Sequence, residues 1–340
     1  YVNDGSGRFV DETATRLPPD ATHTEHVVAG DFDNDGFVDF VTGNYAEGAL
    51  LLRNDRQGRF TRHAMLGDNV MSVVLADLDG DRDLDILLGR GPECTLQALL
   101  FENIGAGIFR AAAAGRLPTT TTCTTAAAAI DVDRDGDQDL LLGRYNEPTR
   151  VLRNDGPGFF TDATGAGLLR ERAFAQDIAV ADFDGDGSLD FALTHLAQSA
   201  AIYLNDGAGV FAGLAQGRLP RDLDATVAVA VGDVDGDGQR DLLLGIGSGG
   251  PGWSPRDRLL RQRAGFFLDV SDGALLPPDQ DGNGAALLHD LDGDGDLDAV
   301  TGHATTPDRL YRNDGQGRLV HDPLALPAAV RRTTSIAPLD

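Results

Sequence analysis

One nine-residue pattern, D-x-D-x-D-x-x-x-D, limits what this chain can fold into. It occurs six times, starting at Asp31, Asp77, Asp131, Asp182, Asp233 and Asp290, at spacings of 46 to 57 residues. Each copy follows a short apolar run, such as Ile178-Ala179-Val180-Ala181 or Ala228-Val229-Ala230-Val231, and leads into another, such as Leu140-Leu141-Leu142 or Leu242-Leu243-Leu244. About fifteen residues later a short-turn signature usually appears, as in Asn205-Asp206-Gly207-Ala208-Gly209 and Asn313-Asp314-Gly315-Gln316-Gly317. Each repeat therefore reads as four short strands, with the acidic loop between the first and second and the Asn-Asp-Gly turn between the third and fourth. Four strands repeated at roughly 40–50 residues are the mark of propeller blades. No long segment of helical period competes with this reading, so almost no helix is expected.

The repeats span approximately 24–66, 70–114, 123–166, 174–215, 225–272 and 282–323. Tyr1-Val2-Asn3-Asp4-Gly5-Ser6-Gly7-Arg8-Phe9 reads as the third and fourth strands of a further repeat, and Ser335 to Asp340 as its first strand up to one loop aspartate. The expectation is an all-β, seven-bladed propeller forming a single domain over 1–340. Its closing blade, 330–340 plus 1–13, is shared by the two ends and incomplete. Closure of this kind would remove exposed sheet edges.

The loops are built for a hard cation. Calcium takes about 6–8 oxygen ligands, and aspartates at alternate positions can curl inward around one ion. A glycine at position six allows a bend with positive φ. The expected ligands are the side chains at positions one, three, five and nine and the carbonyl at position seven. In the first loop these are Asp31, Asp33, Asp35, Phe37 and Asp39; in the second, Asp77, Asp79, Asp81, Asp83 and Asp85. The third has Asp131, Asp133, Asp135, Asp137 and Asp139, and the fourth Asp182, Asp184, Asp186, Ser188 and Asp190. The fifth has Asp233, Asp235, Asp237, Gln239 and Asp241, and the sixth Asp290, Asp292, Asp294, Asp296 and Asp298. An EF-hand would need Glu at position twelve, where this chain has Thr42, Leu88, Leu142, Leu193, Leu244 and Thr301. The second loop carries Arg82 at position six and is expected to bend differently or bind more weakly. Softer metals would call for Cys or His.

Charge points the same way. The formal net charge is −26, with 54 acidic residues and 28 basic ones, all arginine. Six calcium ions would reduce it to about −14. Such acidity excludes nucleic acid and anionic membrane as partners. No apolar run is long enough to cross a membrane; the chain opens at Tyr1 in the middle of a repeat with no signal peptide visible, and N-glycosylation is not expected without an Asn-x-Ser/Thr sequon.

With these residues in view, the loops resemble the FG-GAP repeats of integrin α-subunit propellers and the related bacterial VCBS-type repeats, over essentially the whole chain. The resemblance implies calcium at the six aspartate sets, a secreted, periplasmic or cell-surface location, and a role in adhesion or recognition of a protein or carbohydrate. Where integrins carry Gly-Ala-Pro after the second strand, this chain has Gly43-Asn44-Tyr45, Gly143-Arg144-Tyr145 and Gly302-His303-Ala304. That is closer to the bacterial form, so integrin partner specificity does not carry over.

Strand alternation places the metal loops and Asn-Asp-Gly turns on one face and the variable connections on the other, where function more often resides. There Tyr45, Tyr145, His195, Trp253 and His303 either cap strand ends or contact a ligand. Cys94 and Cys123 fall on that face in neighbouring repeats, which predicts a disulfide in an extracytoplasmic protein. No catalytic constellation stands out, because the clustered carboxylates are already assigned to the loops. The expected function is a monomeric, non-catalytic recognition module. A calcium-dependent scaffold segment of a larger surface protein, and a hydrolase or lyase using the variable face, stand as alternatives.

Overall fold

Leu140, Leu141 and Leu142 are wholly buried, as are Leu242, Leu243 and Leu244. A strand apolar at every position must be covered on both faces, and the sheets arrange this. The computed structural model describes the chain apart from residues 6, 20–22, 92–94, 120, 166–167, 169–172, 197, 214–217, 221–224, 248–255, 273–281, 329–331 and 339–340.

Two compact units are formed, one from Thr13–Ala175, Asn205–Ala212 and Ala337–Asp340, the other from Tyr1–Glu12, Gln176–Leu204 and Gly213–Ile336. In the first unit, β3 (Thr24–Gly30), β4 (Asp39–Asn44), β5 (Ala49–Asn54) and β6 (Phe60–Leu66) form an antiparallel sheet in chain order. β7 (Val70–Ala76), β8 (Asp85–Arg90), β9 (Leu99–Asn103) and β10 (Phe109–Ala111) form the next. β11 (Thr124–Ile130), β12 (Asp139–Glu147), β13 (Arg150–Asn154) and β14 (Phe160–Asp162) repeat the pattern. β12 also pairs through Tyr145 and Glu147 with Phe174 and Ala173, the start of β15 (Ala173–Ala181).

In the second unit, β16 (Asp190–His195) pairs with β17 (Gln198–Asn205), with Phe191 opposite Tyr203. β18 (Phe211–Gly213) comes next in the chain. Two four-stranded sheets follow: β19 (Thr226–Gly232) to β22 (Phe266–Asp269), through β20 (Asp241–Ile246) and β21 (Arg258–Arg263); and β23 (Asn283–His289) to β26 (Leu319–His321), through β24 (Asp298–His303) and β25 (Arg309–Asn313). A short hairpin of β1 (Val2–Asn3) and β2 (Phe9–Val10) packs beside the last sheet, where Phe9 N donates to Ala325 O at 2.7 Å. These are the four-stranded blades of a β-propeller. One four-residue helix, α1 (Thr13–Arg16), is the only α-helix among the described residues.

The cores lie between successive blades. Val73, Ile86 and Leu88 pack with Phe32, Val41 and Leu51, and Leu140, Leu142 and Phe160 pack with Val74, Leu78 and Leu87. Phe32 and Leu78 occupy position two of the first and second acidic loops, and Val132, Phe183 and Val234 hold the same place in later ones. All five are buried.

A side-chain latch joins each loop to the repeat that follows it. Asn103 Nδ2 donates to Phe32 O at 2.8 Å, Asn154 to Leu78 O at 2.9 Å, and Asn205 to Val132 O at 2.8 Å. Gln262 Nε2 donates to Phe183 O at 2.6 Å, Asn313 to Val234 O at 2.7 Å, and Asn3 to Leu291 O at 2.9 Å. In Asn103, Asn154 and Asn313 the same amide also reaches position eight of its own loop: Leu84 O at 3.2 Å, Gln138 O at 3.1 Å and Leu297 O at 3.0 Å.

Replacing Asn154 should therefore cost more than one exposed turn residue would. Asn154→Ala leaves Leu78 O buried without a donor and is expected to lower stability by about 1–3 kcal/mol. Asn154→Asp, which sets a carboxylate against two carbonyls, should be worse still. Urea unfolding of both variants checks the order, and an Asp variant as stable as wild type would contradict the latch.

Candidate metal centre

The acidic loops are wound by their own carboxylates. At position one, Asp182 accepts from Gly185 N at 2.7 Å and Gly187 N at 2.9 Å, and Asp290 accepts from Gly293 N at 2.8 Å and Gly295 N at 3.0 Å. At position five, Asp81, Asp135, Asp186, Asp237 and Asp294 each accept from the N–H two residues on, at 2.6 to 3.0 Å. The winding needs left-handed backbone at positions four and six. Arg82 adopts φ 76°, close to the 84° of Gly187 at the same place, so the second loop bends as the others do. The expectation of a different bend fails because the position-one carboxylate takes the Arg82 N–H at 3.0 Å and holds it in that region. Position four is left-handed too, at Asn34, Gly80, Arg134, Gly185, Gly236 and Gly293. Asn and Gly are the residues that tolerate this most readily.

Position nine closes the loop onto its blade. Asp39 Oδ1 accepts from Asn54 N at 2.7 Å and Oδ2 from Phe32 N at 3.3 Å. Asp85, Asp139, Asp241 and Asp298 make the same pair of bonds. Burial pushes the carboxyl groups of Asp39, Asp139 and Asp241 up to about 6 and that of Asp85 up to about 7. Desolvation is the leading cause, with repulsion from the other loop carboxylates secondary. A carboxylate near 7 could serve as a base elsewhere, but both oxygens here are occupied by main-chain donors.

Carboxylate oxygens from positions one, three and nine converge. Asp31, Asp33 and Asp39 offer atoms within 4.8 Å of one another, as do Asp77, Asp79 and Asp85; Asp131, Asp133 and Asp139; Asp182, Asp184 and Asp190; and Asp233, Asp235 and Asp241. The position-five aspartates stand outside these groups: Asp35 takes Arg56 Nε at 2.9 Å, and Asp237 pairs with Arg263. Within the groups, Asp33 Oδ1, Asp131 Oδ1, Asp133 Oδ1 and Asp235 Oδ1 are buried and have no hydrogen-bond partner. Buried carboxylate oxygens without a donor are costly, and an all-oxygen donor set suits a hard cation such as calcium.

The turn between the third and fourth strands roofs the loop of the repeat before it. Gly107, at φ +70°, lies where a Cβ would come within 3.1 Å of Asp33 Cβ, and Gly158 where one would come within 3.1 Å of Asp79 Cβ.

On the variable connections, Tyr45 is exposed, and Tyr145 stacks on Phe174 with ring centroids 4.4 Å apart. His195 is buried with Nδ1 3.1 Å from Ser199 O, and burial lowers its pKa. His303 is buried with Nε2 3.0 Å from Thr301 Oγ1. Both imidazoles are buried at the ends of β16 and β24. Trp253 and Cys94 lie outside the described residues. Cys123 is buried and disulfide-bonded.

Comparison with known proteins now has a geometry to explain. The FG-GAP-like repeat family matches residues 1–42, 31–88, 131–193 and 182–244, more than half of the chain. The chain belongs to this family. Relatives in sequence include cartilage acidic protein 1 of Xenopus tropicalis, 25% identical over 214 residues, and of Mus musculus, 28% identical over 218 residues. Each alignment covers 60% of this chain and 26% of the relative, so the chain spans about a quarter of their length. Among solved structures, the BP39L lectin from Burkholderia pseudomallei superposes with a TM-score of 0.62 at 11% identity, covering 88% of this chain and 84% of that one. BBS1N in complex with ARL6DN superposes at 0.54, also at 11% identity, covering 88% and 81%. At that identity both likenesses speak for the fold alone. Among the described residues, no helix is long and apolar enough to cross a membrane.

The raised position-nine pKa values set a sign for pH dependence. A native carboxyl that titrates near 6–7 holds its proton more tightly than the unfolded chain does near 3.9. That contribution is fully present below about pH 4 and is lost as the pH rises through 6–7. Metal-stripped protein is thus expected to melt lower at pH 7.5 than at pH 5, with excess calcium reversing the trend. Scanning calorimetry with and without the ion checks this, and a flat metal-free profile would count against it.

Proposed function

We propose that this chain is a calcium-loaded FG-GAP propeller acting as an extracytoplasmic recognition module. On this reading the six loops each hold one ion, seven blades close a ring, and a protein or glycan partner is met on the face opposite the loops. The observation that carries the calcium reading is the convergent carboxylate triad, present in successive repeats, with buried, donorless oxygens in the first, third and fifth loops. The remaining ligands are the position-five side chain and the position-seven carbonyl, the former turning in from its arginine when the ion enters.

A buried disulfide-bonded Cys123 supports an oxidising compartment, and we assign Cys94, the one other cysteine, as its partner. Tyr45 and Tyr145, with Trp253 on the longest variable connection, are the side chains assigned to the partner face. An acidic surface favours a partner that is neutral or basic.

Each ion at ~10–100 times its Kd adds ~1.4–2.7 kcal/mol, so six add on the order of 10 kcal/mol. Whole-domain stability is only ~5–15 kcal/mol. Melting with excess EGTA is expected to lower Tm by tens of degrees, and an unchanged Tm would end the calcium reading. For the partner, a glycan array and Tyr45→Ala/Tyr145→Ala double substitution form the second test. Loss of array or protein binding at unchanged Tm supports the assigned face, whereas retained binding moves the partner site elsewhere.

A further inference from the structure

The residue just before each latch amide differs in charge from repeat to repeat, and it lies beside the position-three carboxylate. It is Arg53, Arg153, Arg261 and Arg312 in the first, third, fifth and sixth repeats, Glu102 in the second and Leu204 in the fourth. Arg53 pairs with Asp33 and stands 3.8 Å from Asp35, and Arg56 adds a second cation to Asp35. Arg261 lies 3.4 Å from Asp235, where Arg263 pairs with Asp235 and Asp237 together. Arg312 lies 3.3 Å from Asp292 and 2.6 Å from Asp298. Arg153 is 3.8 Å from Asp133 but turns mainly to Asp155, at 2.6 Å.

The second loop is different. Among the described residues no arginine pairs with Asp77, Asp79, Asp81, Asp83 or Asp85. Glu102 is buried beside the loop; burial chiefly, then the neighbouring aspartates and last Glu102, raise the Asp79 pKa. Arg110 and Arg116 pair with Glu102 itself, at 2.8 and 3.0 Å, and Arg116 also donates to Pro157 O and lies over the Phe159 ring, so neither pairs with the loop aspartates.

We propose that these arginines are built-in competitors of the bound cation, so that the loops form two affinity classes: a tight site at 77–85, and weaker sites at 31–39, 233–241 and 290–298. This rests on calcium occupying the loops. A guanidinium against the same oxygens that must face a divalent ion has to move aside before the ion enters, and it repels the ion from a few ångströms when it remains near. At a partly exposed site, removing one unit charge at that range changes affinity by about 10-fold or more. The arginines also explain how densely acidic loops hold their shape before metal arrives.

The test is a calcium titration by isothermal calorimetry of the metal-stripped full chain, wild type against R53Q/R56Q, with Arg53→Lys as the conservative control. Wild type is expected to show at least two classes separated by about 10-fold or more. R53Q/R56Q should move one site into the tight class with stoichiometry unchanged, and Arg53→Lys should leave it weak. If R53Q/R56Q does not fold in saturating calcium, Arg263→Gln gives the same measurement at 233–241, since that side chain reaches only loop carboxylates and the Gln262 carbonyl. A single class in wild type, or a substituted site no tighter than before, overturns the inference and leaves the calcium reading standing. Absence of any calcium uptake by wild type overturns both.

Discussion

Much of this molecule is organised around the carboxylate at position nine of each loop. One of its oxygens takes the N–H of position two, and the other takes the N–H at the latch position on the third strand of the same blade. Position two, so held, sends its apolar side chain into the core shared with the following blade and its carbonyl to that blade's amide. A single buried side chain thus fixes the loop, the strand it opens and the contact with the next repeat. It does so at a cost, because burial opposes its charge, and a cation at the same place relieves that opposition. The proton and the metal are alternative occupants of one electrostatic problem.

The blades and the acidic triads were legible in the sequence because both are local. Asp at alternate positions, an apolar run on either side and a turn about fifteen residues on are all read within one repeat. The latch was not, because Asn103 reaches across 71 residues to Phe32 and its amide reads equally well as an ordinary turn residue. The fifth repeat, Arg261-Gln262-Arg263-Ala264-Gly265, breaks the Asn-Asp-Gly signature yet keeps the bond through the longer Gln262 side chain. The signals that would have revealed it were the unbroken amide at that position and the unbroken apolar character of position two. The left-handed residue at position four is harder to read, because that place holds Asn34 and Arg134 as well as glycine.

Two side-chain environments lie beyond what the motif itself can tell. His195 and His303, read as candidates on a variable face, are each buried at the end of a wholly buried second strand, with one ring nitrogen near Ser199 O or Thr301 Oγ1. Position-five aspartates read as equivalent to the other ligands, and in the fold Asp35 and Asp237 pair with arginines outside the triad. In both cases the surroundings are set by side chains outside the nine-residue pattern.

The latch does not run only forward along the chain. Five donors belong to the repeat that follows the loop they hold, from Asn103 on Phe32 O to Asn313 on Val234 O. The sixth, Asn3, reaches from the opening hairpin to Leu291 O, 288 positions away. Cutting off a late repeat would uncover an acceptor in the loop before it, and cutting off the first few residues would uncover one in the sixth loop. Shedding the opening residues would thus loosen a segment at the far end of the sequence, which makes them part of the last blade's upkeep rather than a dispensable overhang.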